Sequence, residues 1–235
     1  MTEGREKDNR HLAPSWNKGF NLVDNLEQLA KKVREVMSDP DVHSKVDARV
    51  AEFDRLREKG RDEDWFSELC FCLMTANWTA RGGISIQKTL GDGCLSLPQA
   101  KVEQVLADHG HRFARPRADY ICKARKLPEL RAVIEAQGDD RRAREWLVEN
   151  VLGLGYKEAS HFLRNTGHYD VAILDRHILG IMHEYALIQE IPKTITPKRY
   201  LEMEKTLEKL STKLKTPLGI LDFYIWYMRT GEILK

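Results

Sequence analysis

A lysine and an aspartate eighteen positions apart, Lys157 and Asp175, frame the segment of this sequence richest in chemical possibilities. A lysine amine can add to an electrophilic carbon and form an imine, which divides one difficult bond cleavage into two easier steps. A neighbouring carboxylate can stabilise positive charge that develops during such a step, or assist proton transfer. Amines in water are almost wholly protonated near neutrality, and a carboxylate in direct contact reinforces that state. Asp175 is therefore expected near the reacting carbon without a tight ion pair to Lys157. Ordinary alternatives exist for both: a solvated lysine at a helix end, and an aspartate that only caps the helix beginning at Arg176.

The elements that must position these groups are legible around them. Gly153, Leu154 and Gly155 form a glycine turn just before Lys157. Two glycines around one apolar residue permit positive φ angles and close backbone approach, so the turn can join two helices while its N–H groups point outward to hold a phosphate. Helical apolar spacing follows at Ala159, Phe162 and Leu163, with Gly167 placed as a stop. Lys157 thus falls at the start of a helix, beside the grip.

These segments also carry a resemblance. ELCFCLMTANWTARGGISIQK (residues 68–88), GLGYKEASHFLRN (153–165) and LDRH (174–177), in that order, resemble the helix-hairpin-helix DNA glycosylase superfamily, to which endonuclease III also belongs. Within it the text is similar to the type 2 8-oxoguanine DNA glycosylase/lyases of archaea and some thermophilic bacteria, over roughly Leu26 to Lys235. The resemblance implies a bifunctional enzyme that removes 8-oxoguanine through a lysine Schiff base and cleaves the strand 3′ to the abasic site by β-elimination. Double-stranded DNA containing 8-oxoguanine or abasic sites would be its partner, with the chain acting as a monomer. Lys157 and Asp175 match the two catalytic positions. No Cys follows Asp175, so the iron–sulfur cysteines of endonuclease III relatives are absent. Neither a cofactor nor a metal is expected.

Further residues take roles from the same resemblance. A nucleotide must leave the stack before its glycosidic bond can be reached, which calls for a wedge and a pocket. Asn77 matches the wedge, although an Asn ending a helix is otherwise a cap. Phe113 and Trp226 are the candidates to stack on the flipped base, although large aromatics are more often plain core. Guanine presents N1–H and its 2-amino group as adjacent donors that suit a carboxylate. The family's C-terminal lysine lies in the pocket, so the terminal carboxylate and the ammonium of Lys235 are the expected readers of the base. Gly153, Gly155 and Arg176 are assigned to phosphate contact, and His177 to packing. Two other readings stay open: a non-catalytic helix-hairpin-helix DNA-binding module, and a glycosylase of this fold that acts on oxidised pyrimidines.

Composition sets the frame. With 235 residues and 42% hydrophobic content the chain can bury a sizeable core. A net charge of +2 does not by itself announce a nucleic-acid partner, but from Arg112 to Lys126 six basic residues stand against Asp119 alone. That run suits either a solvated face or a phosphate-contacting surface. Cys70 and Cys72 lie in an apolar run, and the four cysteines fit no zinc spacing. Without an apolar run long enough to span a bilayer, or an apolar leader, a cytoplasmic, nucleoid-associated location is expected.

Helical periodicity recurs over 21–37, 47–59, 65–78, 84–90, 98–107, 117–126, 128–137, 140–150, 157–165, 175–183, 197–214 and 217–228. Residues 171–174 are the single short strand candidate. The expected fold class is all-α: a flexible tail over 1–19, a central helical subdomain over 63–169 containing the hairpin, and a second subdomain made of 20–62 plus 170–235. The resemblance puts the active site in the cleft between them.

Overall fold

The structure, a computed structural model, describes residues 21–235; the tail expected over 1–19 lies outside the described residues. Among those residues the fold is all-α, with thirteen helices and no strand. In order they are α1 (Leu22–Met37), α2 (Pro40–Lys59), α3 (Asp62–Thr75), α4 (Ala80–Leu90), α5 (Gly93–Ser96), α6 (Gln99–Asp108) and α7 (Ala114–Ala124). Then come α8 (Leu130–Ala136), α9 (Asp140–Asn150), α10 (Tyr156–Asn165), α11 (Arg176–Glu184), α12 (Pro197–Leu214) and α13 (Leu218–Thr230).

Side-chain caps mark six of the thirteen helix starts. Asn21, Asp39, Thr79, Asp139, Asp175 and Thr196 each accept a hydrogen bond from a first-turn N–H. Asp39 with Pro40 behind it starts α2 seven residues before the periodicity expected at Asp47. The four-residue α5 has too few residues to show a period.

Two hydrophobic clusters fill the molecule. The first draws on residues from Trp65 to Val171 and includes Phe71, Ile86, Leu106, Ile121, Leu147 and Phe162. Its axis is α3, in which every side chain from Leu69 to Met74 is at most 1% exposed. The second combines Leu29, Val33, Val46 and Phe53 with residues from Ala172 onward, among them Ile178, Met182, Leu210 and Phe223.

The strand candidate at Val171–Leu174 is not a strand. The segment is fully buried, and its main chain pairs with side chains instead of a neighbouring strand. Ala172 N–H donates to Glu204 Oε1 at 2.8 Å, Leu174 N–H donates to the Tyr200 hydroxyl at 3.2 Å, and that hydroxyl donates to Ala172 C=O at 2.6 Å. Glu204 also receives a bidentate pair from Arg144 at 2.6 and 2.8 Å, with both side chains at most 1% exposed. The short apolar run signalled burial correctly but could not reveal these partners.

Candidate active site

Between α9 and α10 the chain makes its glycine turn. Gly153 has φ +91°, and a Cβ there would lie 2.3 Å from the Tyr120 ring, so both conformation and space exclude a side chain. Gly155 differs from the expectation of a second positive φ. It is extended (φ −99°, ψ −177°), a conformation open to any residue, and precedes α10 without a side-chain cap. The first-turn N–H groups of α10 are thus available to an anion at the positive end of the helix.

Arg117 ties this turn to the end of α3. Its guanidinium donates to Ala76 C=O at 3.1 Å and to Gly153 C=O at 3.4 Å, and lies 5.5 Å from the Tyr120 ring. The basic run from Arg112 to Lys126 therefore splits: Arg117 is buried inside the scaffold, while Arg112, Arg115, Lys123 and Lys126 remain exposed, Lys123 paired with Asp119. A buried arginine bridging two carbonyls could not be told from its solvated neighbours by composition.

Lys157 lies half-buried in the first turn of α10. Its nearest paired carboxylate is Glu158 at 4.0 Å, and no ion pair joins it to Asp175. Asp175 is the N-cap of α11, as its position suggested. One carboxylate oxygen accepts from His177 N–H and Ile178 N–H, both at 2.8 Å, and the other accepts from the Trp226 indole N–H at 3.2 Å. Three donors therefore fix this carboxylate without using the lysine. Behind them Arg164 donates to Asp222 at 2.6 Å, flanked by the Phe223 ring at 4.4 Å. Burial raises the Asp222 carboxyl, and Arg164 opposes the rise.

A second group converges on Lys235. Its ammonium donates to Glu68 Oε2 at 2.7 Å and lies 4.6 Å from the centre of the Phe71 ring. Asn165 donates to the other Glu68 oxygen at 2.6 Å. Gln87 packs against α3 through Ser67, with bonds of 3.0 and 3.1 Å. Sequence reasoning named Lys235 but missed Glu68 and Asn165. The available signal was the one carboxylate inside the apolar run of α3, since a buried charge requires a partner.

The remaining candidates occupy different places. Asn77 follows α3, is exposed, and adopts φ +58°, a left-handed conformation that Asn tolerates better than most residues. Phe113 is 39% exposed at the start of α7. Its N–H donates to His111 Nδ1 at 3.1 Å, and His111 Nε2 bonds Met74 C=O at 2.8 Å, tying this aromatic to α3. Trp226 is half-buried, with His177 packed edge-on at 5.7 Å. Arg176 is exposed and bonds the His177 ring at 3.2 Å. Asp175 and Trp226 are thus joined across α11 and α13, and the charges of Asp175 and of Lys157 on α10 both act on Asp222. No hydrogen bond or ion pair connects Asn77 or Phe113 to Lys157 or Asp175.

Among the described residues no group of three or more His, Cys, Asp or Glu is placed to hold a metal ion, and no helix is long and apolar enough to cross a membrane. An open surface depression lined by Asp139, Asp140, Arg141, Asp170 and Glu208 lies apart from these groups.

Comparison with known proteins shows the family. The family model described as 8-oxoguanine DNA glycosylase matches residues 46–216. An 8-oxoguanine DNA glycosylase/AP lyase of Methanocaldococcus jannaschii is 48% identical over 207 residues, covering 88% of this chain and 99% of that protein. The protein of the same name from Thermotoga maritima is 44% identical over 211 residues, covering 89% and 100%. The crystal structure of the M. jannaschii protein in complex with a 15mer DNA containing 8-oxoguanine superimposes with a TM-score of 0.85 at 48% identity, covering 88% of this chain and 100% of that one.

Proposed function

The chain belongs to the 8-oxoguanine DNA glycosylase family, and on that premise we propose how its residues divide the work. It is a base-excision repair enzyme, a bifunctional 8-oxoguanine DNA glycosylase and AP lyase. Its substrate nucleotide leaves the duplex before reaction, because C1′ is shielded inside the stack. The amine of Lys157 attacks C1′, the bond to the base breaks, and the sugar opens to a Schiff base with the lysine. Loss of a proton from C2′ then expels the 3′ phosphate by β-elimination. Asp175 stabilises the positive charge that develops on the sugar and assists proton transfer.

The relationship between Lys157 and Asp175 carries this assignment. The carboxylate is satisfied by His177, Ile178 and Trp226, so it can face a developing cation while leaving the amine unpaired by it. The turn at Gly153 and Gly155, with the open start of α10, grips the DNA backbone, and Arg176 adds a phosphate contact. Asn77 fills the space left by the flipped nucleotide, a role supported by its exposure and its left-handed backbone. Phe113 and Trp226 stack on the base, and Lys235, held by Glu68, helps to recognise it. The two hydrophobic clusters are the two subdomains, with catalysis where they meet. The enzyme works on duplex DNA as a monomer, in the compartment that holds the chromosome.

Borohydride reduction of the imine on a duplex with one 8-oxoguanine tests the central assignment. Lys157→Gln keeps length and hydrogen bonding but cannot form an imine, so trapping and strand cleavage should vanish while damaged DNA is still bound. Trapping at the level of the unchanged protein would assign the nucleophile elsewhere.

A further inference from the structure

His161 follows Lys157 by one helical turn, so both side chains project from the same face of α10. The residue is 7% exposed, its ring stands edge-on to Phe71 at 5.6 Å, and neither ring nitrogen has a hydrogen-bond partner. A buried polar side chain with no partner is uncommon in a native fold. Burial holds the imidazole well below its usual range, and the nearby positive charges of Arg164, Lys157 and Lys235 act in the same direction. The ring is therefore neutral, with one N–H to give and one lone pair to receive. The main chain of Lys235 lies close enough to act in the opposite sense. Lys235 is already held at its other end, where its ammonium meets Glu68. Nothing in the Schiff-base chemistry uses the imidazole.

We propose that His161 is a positioning residue for base recognition: its free N–H donates to the main-chain oxygen of Lys235 when the damaged base occupies the pocket. Lys235 is then fixed from both ends, by Glu68 at the ammonium and by His161 at the main chain. The Lys235 main chain already acts on the ring as an acceptor, short of full hydrogen-bond geometry, and the contact tightens when the base is held. The proposal rests on the reading that Lys235 helps to recognise the base.

A four-way comparison under single-turnover conditions tests it, using the unchanged protein, His161→Phe, a variant lacking Lys235, and the combination. Each is assayed on an 8-oxoguanine duplex and on a duplex with a preformed abasic site. Phe fills the site of the ring without either nitrogen, and should lower 8-oxoguanine excision by about 10-fold to 50-fold, the loss of one buried hydrogen bond to a positioned group. Abasic-site cleavage has no base to position and should fall by less than about threefold, a small barrier change. His161→Gln retains a donor and should recover most of the excision. The combined variant should be no worse than loss of Lys235 alone, because His161 acts through that residue. Melting temperature controls for folding, and His161→Leu substitutes if the Phe variant does not fold. If the variant lacking Lys235 excises 8-oxoguanine normally, the base-recognition reading of Lys235 is wrong. If that variant is impaired while His161→Phe is not, or if the two losses multiply, the positioning role of His161 is overturned. Equal loss on both substrates would overturn it as well, because it would place the ring in the service of Lys157.

Discussion

The indole N–H of Trp226 and the carboxylate of Asp175 are joined by a hydrogen bond of 3.2 Å, which links a stacking candidate directly to a catalytic candidate. Trp226 lies on α13 and Asp175 caps α11, so one bond sets the orientation of a pocket wall and of a charge together. Removing either partner should disturb the other.

Asp175→Asn keeps the shape of the cap and deletes the charge. Base release should slow by about 100-fold or more, in line with the 3 to 4 kcal/mol that a positioned electrostatic group contributes. Trp226→Phe keeps an aromatic face but loses the N–H, and should cost about 3-fold to 10-fold, the scale of one modest hydrogen bond. Single-turnover excision at saturating enzyme measures both. An Asn variant within about threefold of the unchanged protein would remove Asp175 from the mechanism.

Glu68 gathers Lys235 and Asn165 on its two oxygens. Glu68→Gln keeps the volume but leaves the Lys235 ammonium without its counter-charge. Excision of 8-oxoguanine should fall by about 10-fold to 100-fold, the cost of losing one charge-assisted bond. Cleavage of abasic DNA should change much less. Equal excision by both proteins would mean that the pair contributes only packing.

Arg117 links Ala76, beside the proposed wedge, to Gly153 in the hairpin turn. Arg117→Met retains the buried stem and leaves two carbonyls without a donor. Stability should fall by about 1 to 3 kcal/mol for each carbonyl orphaned, read from urea unfolding. Affinity for undamaged duplex should drop at the same time, because the turn loses its fixed height above α3. Arg117→Lys should not rescue, since one ammonium cannot reproduce the fork. Unchanged affinity at reduced stability would separate the arginine from the DNA grip.

Acidification should destabilise the fold through buried imidazoles. Burial lowers the pKa of His111 and of His161 from the ordinary value of 6.5, so the folded chain keeps both neutral. As pH falls below about 6.5 the unfolded chain takes up protons that the folded chain refuses, so stability declines. The same stability is fully present above that range. Melting temperature followed from about pH 8 to about pH 5 should therefore fall mainly in the lower half of the series. His111→Asn should melt lower throughout but with a shallower dependence; an unchanged slope would exclude His111 as a contributor.

Periodicity and caps made the helices legible, because α1, α9, α11 and α12 announce themselves by a capping side chain and an apolar stripe. The cap at Asp175 could be read the same way, and the lysine beside a glycine turn stood out by residue type. What escaped was the pairing of side chains with groups far away in the sequence. Arg117 reaches Ala76 across 41 positions, and Asn165 reaches Glu68 across 97. Such pairings follow from how helices dock, and no local spacing encodes them. Gly155 shows the reverse error, because a glycine can be present without any need for its conformational freedom.

Glu204 serves two masters at once, as the salt partner of Arg144 on α9 and as the acceptor for the Ala172 amide at the start of the second cluster. The helix α9 and the 171–174 segment are therefore fastened to the same carboxylate of α12. The crossover at residues 171–174 should be among the slowest-exchanging amides of the protein, opening only when the whole chain unfolds. One buried carboxylate thus holds α9, α12 and the 171–174 segment in a single fixed arrangement.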